Sequence, residues 1–214
     1  MAIAHDASSS GNENPGTSVT VAHTCTGSNL LLLVGVLTND TTDKVTGVTY
    51  NGVAMTRLAS YQAASTNFFG FTYYLINPAT GTNNIVASRS DSNLIGIMND
   101  SYTGVAQTGF PDSSATGTDP TGNFDATTTV VAANCWLWAN VRSNNSTSGI
   151  TTSQTIRGSV FGAAGITADS NGTVGTGSQS LNFLVNPGNE TYWGICSFAP
   201  FVAATGNSNF LALF

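Results

Sequence analysis

The sequence has very few charged residues. Its 214 residues include 11 Asp and Glu and 5 Lys and Arg, so 7% of the chain is charged and the formal net charge is -6. An ordinary soluble domain carries about 25% charged residues, which help to keep neighbouring molecules apart. So little charge favours a protein that works in an assembly or on an extracellular surface. It also leaves little material for acid, base or phosphate chemistry.

Basic clusters and long apolar runs are missing as well. A protein that binds nucleic acid neutralises phosphates with grouped Lys and Arg, and this chain has no such group. The longest purely apolar run, 30–34, is far shorter than the 18 or more residues of a membrane-spanning helix. Neither a nucleic-acid partner nor a membrane span is expected.

A secretory signal is not recognisable in residues 1–6, which have neither a basic region nor an apolar stretch. Either a signal has been removed from this chain or the protein leaves its cell by lysis. The expected location is a virion or the extracellular space.

Catalytic motifs are not found. The chain has no G-x-S-x-G elbow, no H-E-x-x-H pair and no Walker loop. Its two histidines, His5 and His23, are 18 residues apart and are interpreted as incidental. We therefore predict no enzymatic activity, no catalytic residue and no cofactor-binding residue.

Calcium is the one metal with candidate ligands, because it binds carboxylate and carbonyl oxygens. Two groups of loop residues supply such atoms: Asn39, Asp40 and Asp43 in one turn, and Asp112, Asp119 and Asp125 in a later segment. Neither follows EF-hand spacing, and Asp or Asn in a turn commonly caps its own backbone. No metal or cofactor is predicted.

The cysteines, Cys25, Cys135 and Cys196, show no CxxC spacing. Cys135 and Cys196 lie in apolar surroundings typical of core thiols. One disulfide that includes Cys25 remains open as an alternative.

Short apolar and β-branched runs, separated by turn clusters, recur along the chain without a helical period. This pattern predicts an all-β fold, a single jelly-roll-like antiparallel β-sandwich over residues 1–214, with an N-terminal arm at about 1–17 and an apolar C-terminal tail at about 207–214. The predicted strands are 18–25, 30–37, 45–50, 55–61, 68–76, 83–88, 94–102, 127–130, 135–142, 152–159, 164–169, 179–184 and 192–200. The polar segments 105–124 and 143–153 are predicted to be exposed loops.

Two local patterns are specific enough to fix side-chain positions. Asn51-Gly52 predicts a hairpin over 45–61, because both residues accept the positive φ of a type I′ turn. The alternation in 135–141 places Trp136 and Trp138 on one strand face with Asn140, and the apolar residues on the other. The tryptophan face is either an interface with another subunit or part of the core.

Three stretches carry a family resemblance. Residues 47–56 read GVTYNGVAMT, residues 73–83 read YYLINPATGTN and residues 101–105 read SYTGV. Together with HTCTGSN at 23–29, they resemble a family of largely uncharacterised β-sandwich domains in phage and bacterial proteins from environmental sequences. The resemblance covers roughly 18–112 and implies a jelly-roll or lectin-like sandwich on a virion or cell surface. It carries no catalytic residue.

The C-terminal tail departs from that family. Its apolar residues are expected to dock into a neighbouring subunit or to close the chain's own sheet. They are Phe210, Leu211, Leu213 and Phe214.

The favoured function is a non-enzymatic structural protein of an assembly, most naturally a phage virion decoration, tail or fibre protein. Its partners would be copies of itself and other particle subunits. One alternative is a self-assembling extracellular filament subunit. Another is an extracellular carbohydrate-binding or adhesive module that binds surface glycans on an aromatic platform. Candidates for that platform are Tyr61, Phe68, Tyr73 and Trp193.

Overall fold

The computed structural model describes residues 1–62, 67–144, 149–185 and 189–203. These residues form fifteen strands and no helix, so the described chain contains no helix that could cross a membrane. The strands are β1 (Ala4–Cys25), β2 (Leu31–Asn39), β3 (Val45–Tyr50), β4 (Val53–Ala54), β5 (Thr56–Gln62), β6 (Phe68–Ile76), β7 (Gly81–Thr103), β8 (Ser113–Asp119), β9 (Asn123–Val130), β10 (Trp136–Ser143), β11 (Thr151–Thr152), β12 (Thr155–Val160), β13 (Gly165–Asp169), β14 (Gly177–Leu184) and β15 (Thr191–Phe198).

Two long strands, β1 and β7, pair with each other and organise the first half of the chain. They form an antiparallel ribbon from Ala4↔Thr103 to Cys25↔Gly81, with irregular register near residues 13–18. Register shifts of this kind bend a strand. Ser9 Oγ lies 2.8 Å from Nδ1 of His23, so the two arms of β1 face each other.

This bend turns one seven-stranded sheet into two layers. Layer 1 contains β4, β3 and the first arm of β7, and layer 2 contains β5, β6, β2 and the second arm of β7. Strand β1 lies at the edge of both layers. The first apolar core fills the space between them, with Val48, Tyr50 and Ile85 from layer 1 and Val34 and Phe71 from layer 2.

The second half of the chain contributes two further sheets. Layer 3 has the order β12-β13-β10-β15-β8, and layer 4 has the order β11-β14-β9. Between them lies a second apolar core, to which layer 3 contributes Leu137, Val141 and Ile195, and layer 4 contributes Leu181 and Phe183.

Layers 2 and 3 pack against each other and join the two halves. We call this contact the inner interface. Its apolar part is a separate buried cluster: Ile3, Leu31, Leu33, Tyr102, Val105, Trp136, Trp138, Cys196 and Phe198. The predicted all-β, antiparallel β-sandwich architecture is confirmed, and its sheets stack in four layers.

The predicted hairpin forms between β3 and β4, where Asn51 and Gly52 have φ angles of 50° and 75°. The ladder covers only two residue pairs before the chain leaves it. From Thr56 onward, β5 pairs with β6 in layer 2. The segment 45–61 therefore passes from one layer to the other around the buried side chain of Met55.

Two segments expected to lack regular structure form strands. Residues 4–17, expected to be an arm, belong to β1, and the expected loop 105–124 contains β8, which pairs with β15. Both strands are rich in Ser, Thr, Gly and Asn and lie at sheet edges. Main-chain hydrogen bonds with one neighbour hold such strands, so the alternating apolar pattern is not required.

Gly104, in the SYTGV motif, lies where the first half passes into the second. Its N–H donates to the carbonyl of Ser28 (3.2 Å), and its own carbonyl accepts from the N–H of Phe201 (2.7 Å). Its φ is +70°, and a Cβ placed there would lie 2.1 Å from the carbonyl oxygen of Ala2. Only glycine therefore fits this junction between the N-terminal, middle and C-terminal segments.

We expect Gly104→Ala to destabilise the protein more than Gly109→Ala does. Gly109 has a similar φ of +73° but nothing within 4 Å of the added Cβ, so it controls for backbone strain alone. Overlap with a backbone oxygen should make Gly104→Ala about 1–3 kcal/mol worse than its control. Urea unfolding of both variants measures the difference, and equal losses would show that the junction is not tightly packed.

Candidate functional site

The tryptophan face of β10 lies in the inner interface. Trp136 and Trp138 are 7% and 0% exposed and pack against Leu31, Leu33 and Tyr102. The predicted alternation is present, with Leu137 and its apolar neighbours in the second core. Sheets of the same chain cover both indole rings, as the core alternative expects, and a contact of this face with another subunit stays a prediction.

A buried carboxylate, Asp100 of β7, accepts hydrogen bonds from both sides of the inner interface. Nε1 of Trp138 donates to its Oδ2 (2.7 Å), and Oγ of Ser8 donates to its Oδ1 (2.7 Å). Ser8 Oγ also lies 2.8 Å from Nε2 of His5, which extends the chain of bonds to a half-buried imidazole. Layers 2 and 3 are thus joined by a polar contact as well as by apolar packing.

Burial raises the pKa of the Asp100 carboxyl to about 6, against the opposing effect of its hydrogen bonds from Trp138 and Ser8. Burial and the charge of Arg157 lower the pKa of His5. Both groups disfavour their charged forms because the surroundings solvate a charge poorly.

A second buried carboxylate lies close by. Asp169 of β13 accepts from the hydroxyl of Tyr102 (2.7 Å) and from Nε of Arg157 (2.8 Å). Arg157 compensates its charge, while Asp100 has hydrogen-bond donors only from neutral groups. Among the described residues, Asp100 therefore lacks the cationic partner that Asp169 has.

The order His5–Ser8–Asp100 is not that of a hydrolase triad. In a triad the histidine lies between the carboxylate and the serine, takes the hydroxyl proton and activates the oxygen. Here Ser8 lies in the middle and donates its hydrogen to Asp100. The arrangement joins strands and does not create a nucleophile.

A polar pocket opens beside the start of the β7 bend, and we call it the Asp40 pocket. Its volume is about 350 Å³ and its lining residues in the described chain are all polar: Asn39, Asp40, Thr41, Lys44, Asn67, Asp91 and Asn93. Nη2 of the buried Arg89 donates to Oδ1 of Asp40 (2.6 Å) and to Oδ1 of Asp91 (2.7 Å). One guanidinium therefore fixes both carboxylates of the pocket.

An apolar groove, the terminal groove, lies where the first and last described residues meet. Its volume is about 460 Å³, and its lining includes Met1, Ile3, Pro200, Phe201 and Val202. The N-terminal ammonium donates to the carbonyl of Phe201 (2.9 Å). Met1 and Val202 are 67% and 79% exposed, so the groove presents apolar surface to solvent.

The tail residues predicted to make a subunit contact, Phe210, Leu211, Leu213 and Phe214, lie outside the described residues.

The three cysteines are free and buried, one in each of the three larger apolar clusters. Burial raises the pKa of Cys25 and of Cys196, and it raises that of Cys135 to about 12. The alternative of a disulfide with Cys25 is not realised.

The calcium candidates do not converge. Within the described ranges, no group of three or more His, Cys, Asp or Glu could hold a metal ion. Asp43 forms an ion pair with Arg57 and does not line the Asp40 pocket. In the second group, Asp112 caps the N–H groups of Val131 and Ala132. The remaining two acidic candidates bond within their own loop or strand pair: Asp119 with Thr121 and Gly122, and Asp125 with Asn182.

The prediction of an exposed aromatic platform for glycan binding is wrong for two of its four residues. Tyr61 and Tyr73 are 6% and 3% exposed, because Tyr61 packs on Tyr192 in the inner interface and Tyr73 lies in the first core. Phe68 and Trp193 are partly buried and belong to different clusters, so they do not form one surface.

No model of a known protein family matches the chain, and no curated protein sequence matches it.

Sequence reasoning identified some of these groups but not their partners. Asn39 and Asp40 were singled out as loop oxygens, whereas Asp91 and Asn93 lie about 50 residues further along and reach the pocket through the bend of β7. Asp100 and Trp138 are likewise 38 residues apart. The local signal that existed was a carboxylate on the same strand face as Gly96, Met98 and Tyr102, where a charge is costly unless a donor meets it.

Asp100→Asn should alter the pH dependence of stability. The folded pKa of about 6 exceeds the ordinary 3.8, so the contribution of Asp100 to stability is fully present below pH 3.8 and is lost as pH rises through 6. Between pH 5 and pH 8 this loss is about 1.5 kcal/mol. The variant, which cannot ionise, should avoid it.

Urea unfolding at pH 5 and pH 8 measures this effect. From pH 5 to pH 8, the free energy of unfolding should fall by about 1.5 kcal/mol less in the variant than in the wild type. Comparing the two pH values within each protein cancels any fixed cost of the substitution. An identical change in both proteins would contradict a raised Asp100 pKa.

Proposed function

We propose that this chain is a non-enzymatic structural subunit of an assembly. The phage virion, where it would act as a decoration, tail or fibre protein, is the assembly that the sequence resemblance favours. Its partners are copies of itself and other particle subunits, and its place is the virion or the extracellular space.

The terminal groove is the observation that carries the proposal. It combines an apolar lining with the exposed side chains of Met1 and Val202. Exposed apolar side chains gathered in one concave surface commonly mark a contact with another protein. The apolar residues of the tail begin at Phe210, seven positions after the groove-lining residue Ala203. A tail from a neighbouring subunit is an occupant of matching chemistry.

The long edge of β1 is a second support for assembly. β7 is the only ladder partner of its 22 residues in the described chain, so a row of main-chain donors and acceptors along the other edge has no strand beside it. Such edges accept strands from other chains. Charged residues and proline on an edge strand hinder pairing with another chain. Apart from its histidines, β1 has only three such residues, Asp6, Glu13 and Pro15, so its edge is little protected. This feature favours a filament as the alternative form of assembly.

The non-catalytic part of the proposal draws on the polar chemistry. The hydroxyl of Ser8 forms hydrogen bonds with both a histidine and a carboxylate. It donates its hydrogen to the carboxylate, so the histidine does not activate it as a nucleophile. The buried cysteines have raised pKa values, which keeps their thiols protonated and unreactive.

Deletion of residues 210–214 should reduce the oligomeric mass of the protein. Sedimentation velocity of the full chain and the truncated chain at equal concentrations measures this. We expect the full chain to form oligomers and the truncated chain to sediment near its monomer mass, because the apolar contact is removed.

A matched variant tests the other side of the same contact. Val202→Ser changes the most exposed apolar residue of the terminal groove without shortening the chain, and it should weaken the oligomer. Equal mass distributions for all three proteins would contradict a contact between tail and groove.

The assembly itself is tested on particles from a producing culture. Quantitative mass spectrometry should find this chain at a fixed ratio to the main shell protein. Its absence from purified particles would contradict the virion role.

A further inference from the structure

The geometry points to the Asp40 pocket as a binding site for a neutral saccharide. This inference rests on the pocket alone and is independent of the proposed assembly. The pocket volume of about 350 Å³ falls within the range of small-ligand sites. Its wholly polar lining excludes an apolar ligand, which would leave those groups without hydrogen bonds.

One of the two carboxylate oxygens of Asp40 lacks a hydrogen-bond partner in the part of the chain that the structure describes. Asp40 is 7% exposed, and its Oδ1 accepts from Arg89 (2.6 Å) and from Nδ2 of Asn93 (3.4 Å). Its Oδ2 is buried without any hydrogen-bond donor among the described residues. An unsatisfied buried carboxylate oxygen is costly, so a ligand hydroxyl that reaches it from the pocket and donates a hydrogen bond would stabilise it.

The charges of the pocket select a neutral ligand. Two carboxylates, Asp40 and Asp91, are balanced by Arg89 and by Lys44, whose Nζ lies 4.0 Å from Oδ2 of Asp91. The two basic groups oppose a metal cation, and the two carboxylates oppose an anion. Neither kind of ion gains from this site.

Saccharide hydroxyls match the remaining chemistry because each one donates and accepts. Carboxylates accept from them, the Lys44 ammonium donates to them, and the side-chain amides of Asn39 and Asn67 do both. No aromatic ring is among the described residues that line the pocket, so affinity depends on hydrogen bonds. Binding of a single site should be weak and should strengthen when several sites engage a dense glycan surface.

The test is binding of the full chain to an array of neutral and acidic glycans, followed by calorimetric titration with the strongest neutral hit. Asn67→Ala removes an exposed lining amide that has no hydrogen bond in the described chain, so it should not disturb folding. In Asp40→Asn, an NH2 group, which donates hydrogen bonds, replaces one of the two carboxylate oxygens, which accept them. Each variant should bind the hit about tenfold more weakly than the wild type.

Asn123→Ala is the matched control. Asn123 is an exposed asparagine on β9 in layer 4, and its replacement should leave binding unchanged. Thermal melting of all three variants shows whether each is folded. If Asp40→Asn unfolds because Arg89 loses its ion pair, Asn67→Ala still decides the question.

Three outcomes would overturn the inference. One is an array without a neutral hit, and another is a hit that Asn67→Ala binds as tightly as the wild type does. The third is saturable calcium binding in calorimetry that Asp40→Asn abolishes, because this would make the pocket a cation site.

Discussion

Burial of β2 on both faces is the constraint on which the whole architecture depends. Leu32, Val34 and Val36 point into the first core, whereas Leu31 and Leu33 point into the inner interface. A strand that is apolar on both sides must be covered on both sides, because either exposed face would present a large apolar surface to water. Layer 2 therefore serves both halves of the molecule, and neither half can be removed without exposing it.

The polar groups of the inner interface follow from the same constraint. Once layers 2 and 3 face each other, Asp100 is sealed from solvent. Its carboxylate then needs hydrogen-bond donors from the neighbouring strand β1 and from the facing layer 3. Trp138 and Ser8 supply them from layer 3 and from β1. Apolar packing alone allows two faces to slide, whereas directional hydrogen bonds between named atoms fix one arrangement.

The sequence pattern predicted the strands whose side chains do the packing. β6 has the predicted bounds because a buried strand leaves a short, nearly continuous apolar run in the sequence, and the two faces of β10 carry the side chains that its alternation predicts. The strand 18–25 was predicted, but the first part of β1, residues 4–17, and β8 were missed because their main chains, not their side chains, attach them to the sheet. The Asp40 pocket was only partly predicted, since Asp91 and Asn93 reach it through the bend of β7, and such a bend depends on contacts between distant segments.

The three buried thiols make the fold independent of its redox surroundings. Cys25, Cys135 and Cys196 lie in three separate clusters, so none has a partner thiol to oxidise with, and their raised pKa values keep the reactive thiolate scarce. The packing that makes these thiols unreactive is apolar, and it does not depend on the redox potential of the surrounding compartment. Once folded, the molecule holds its three thiols apart and out of contact with oxidants, so its covalent structure is the same in reducing and in oxidising surroundings.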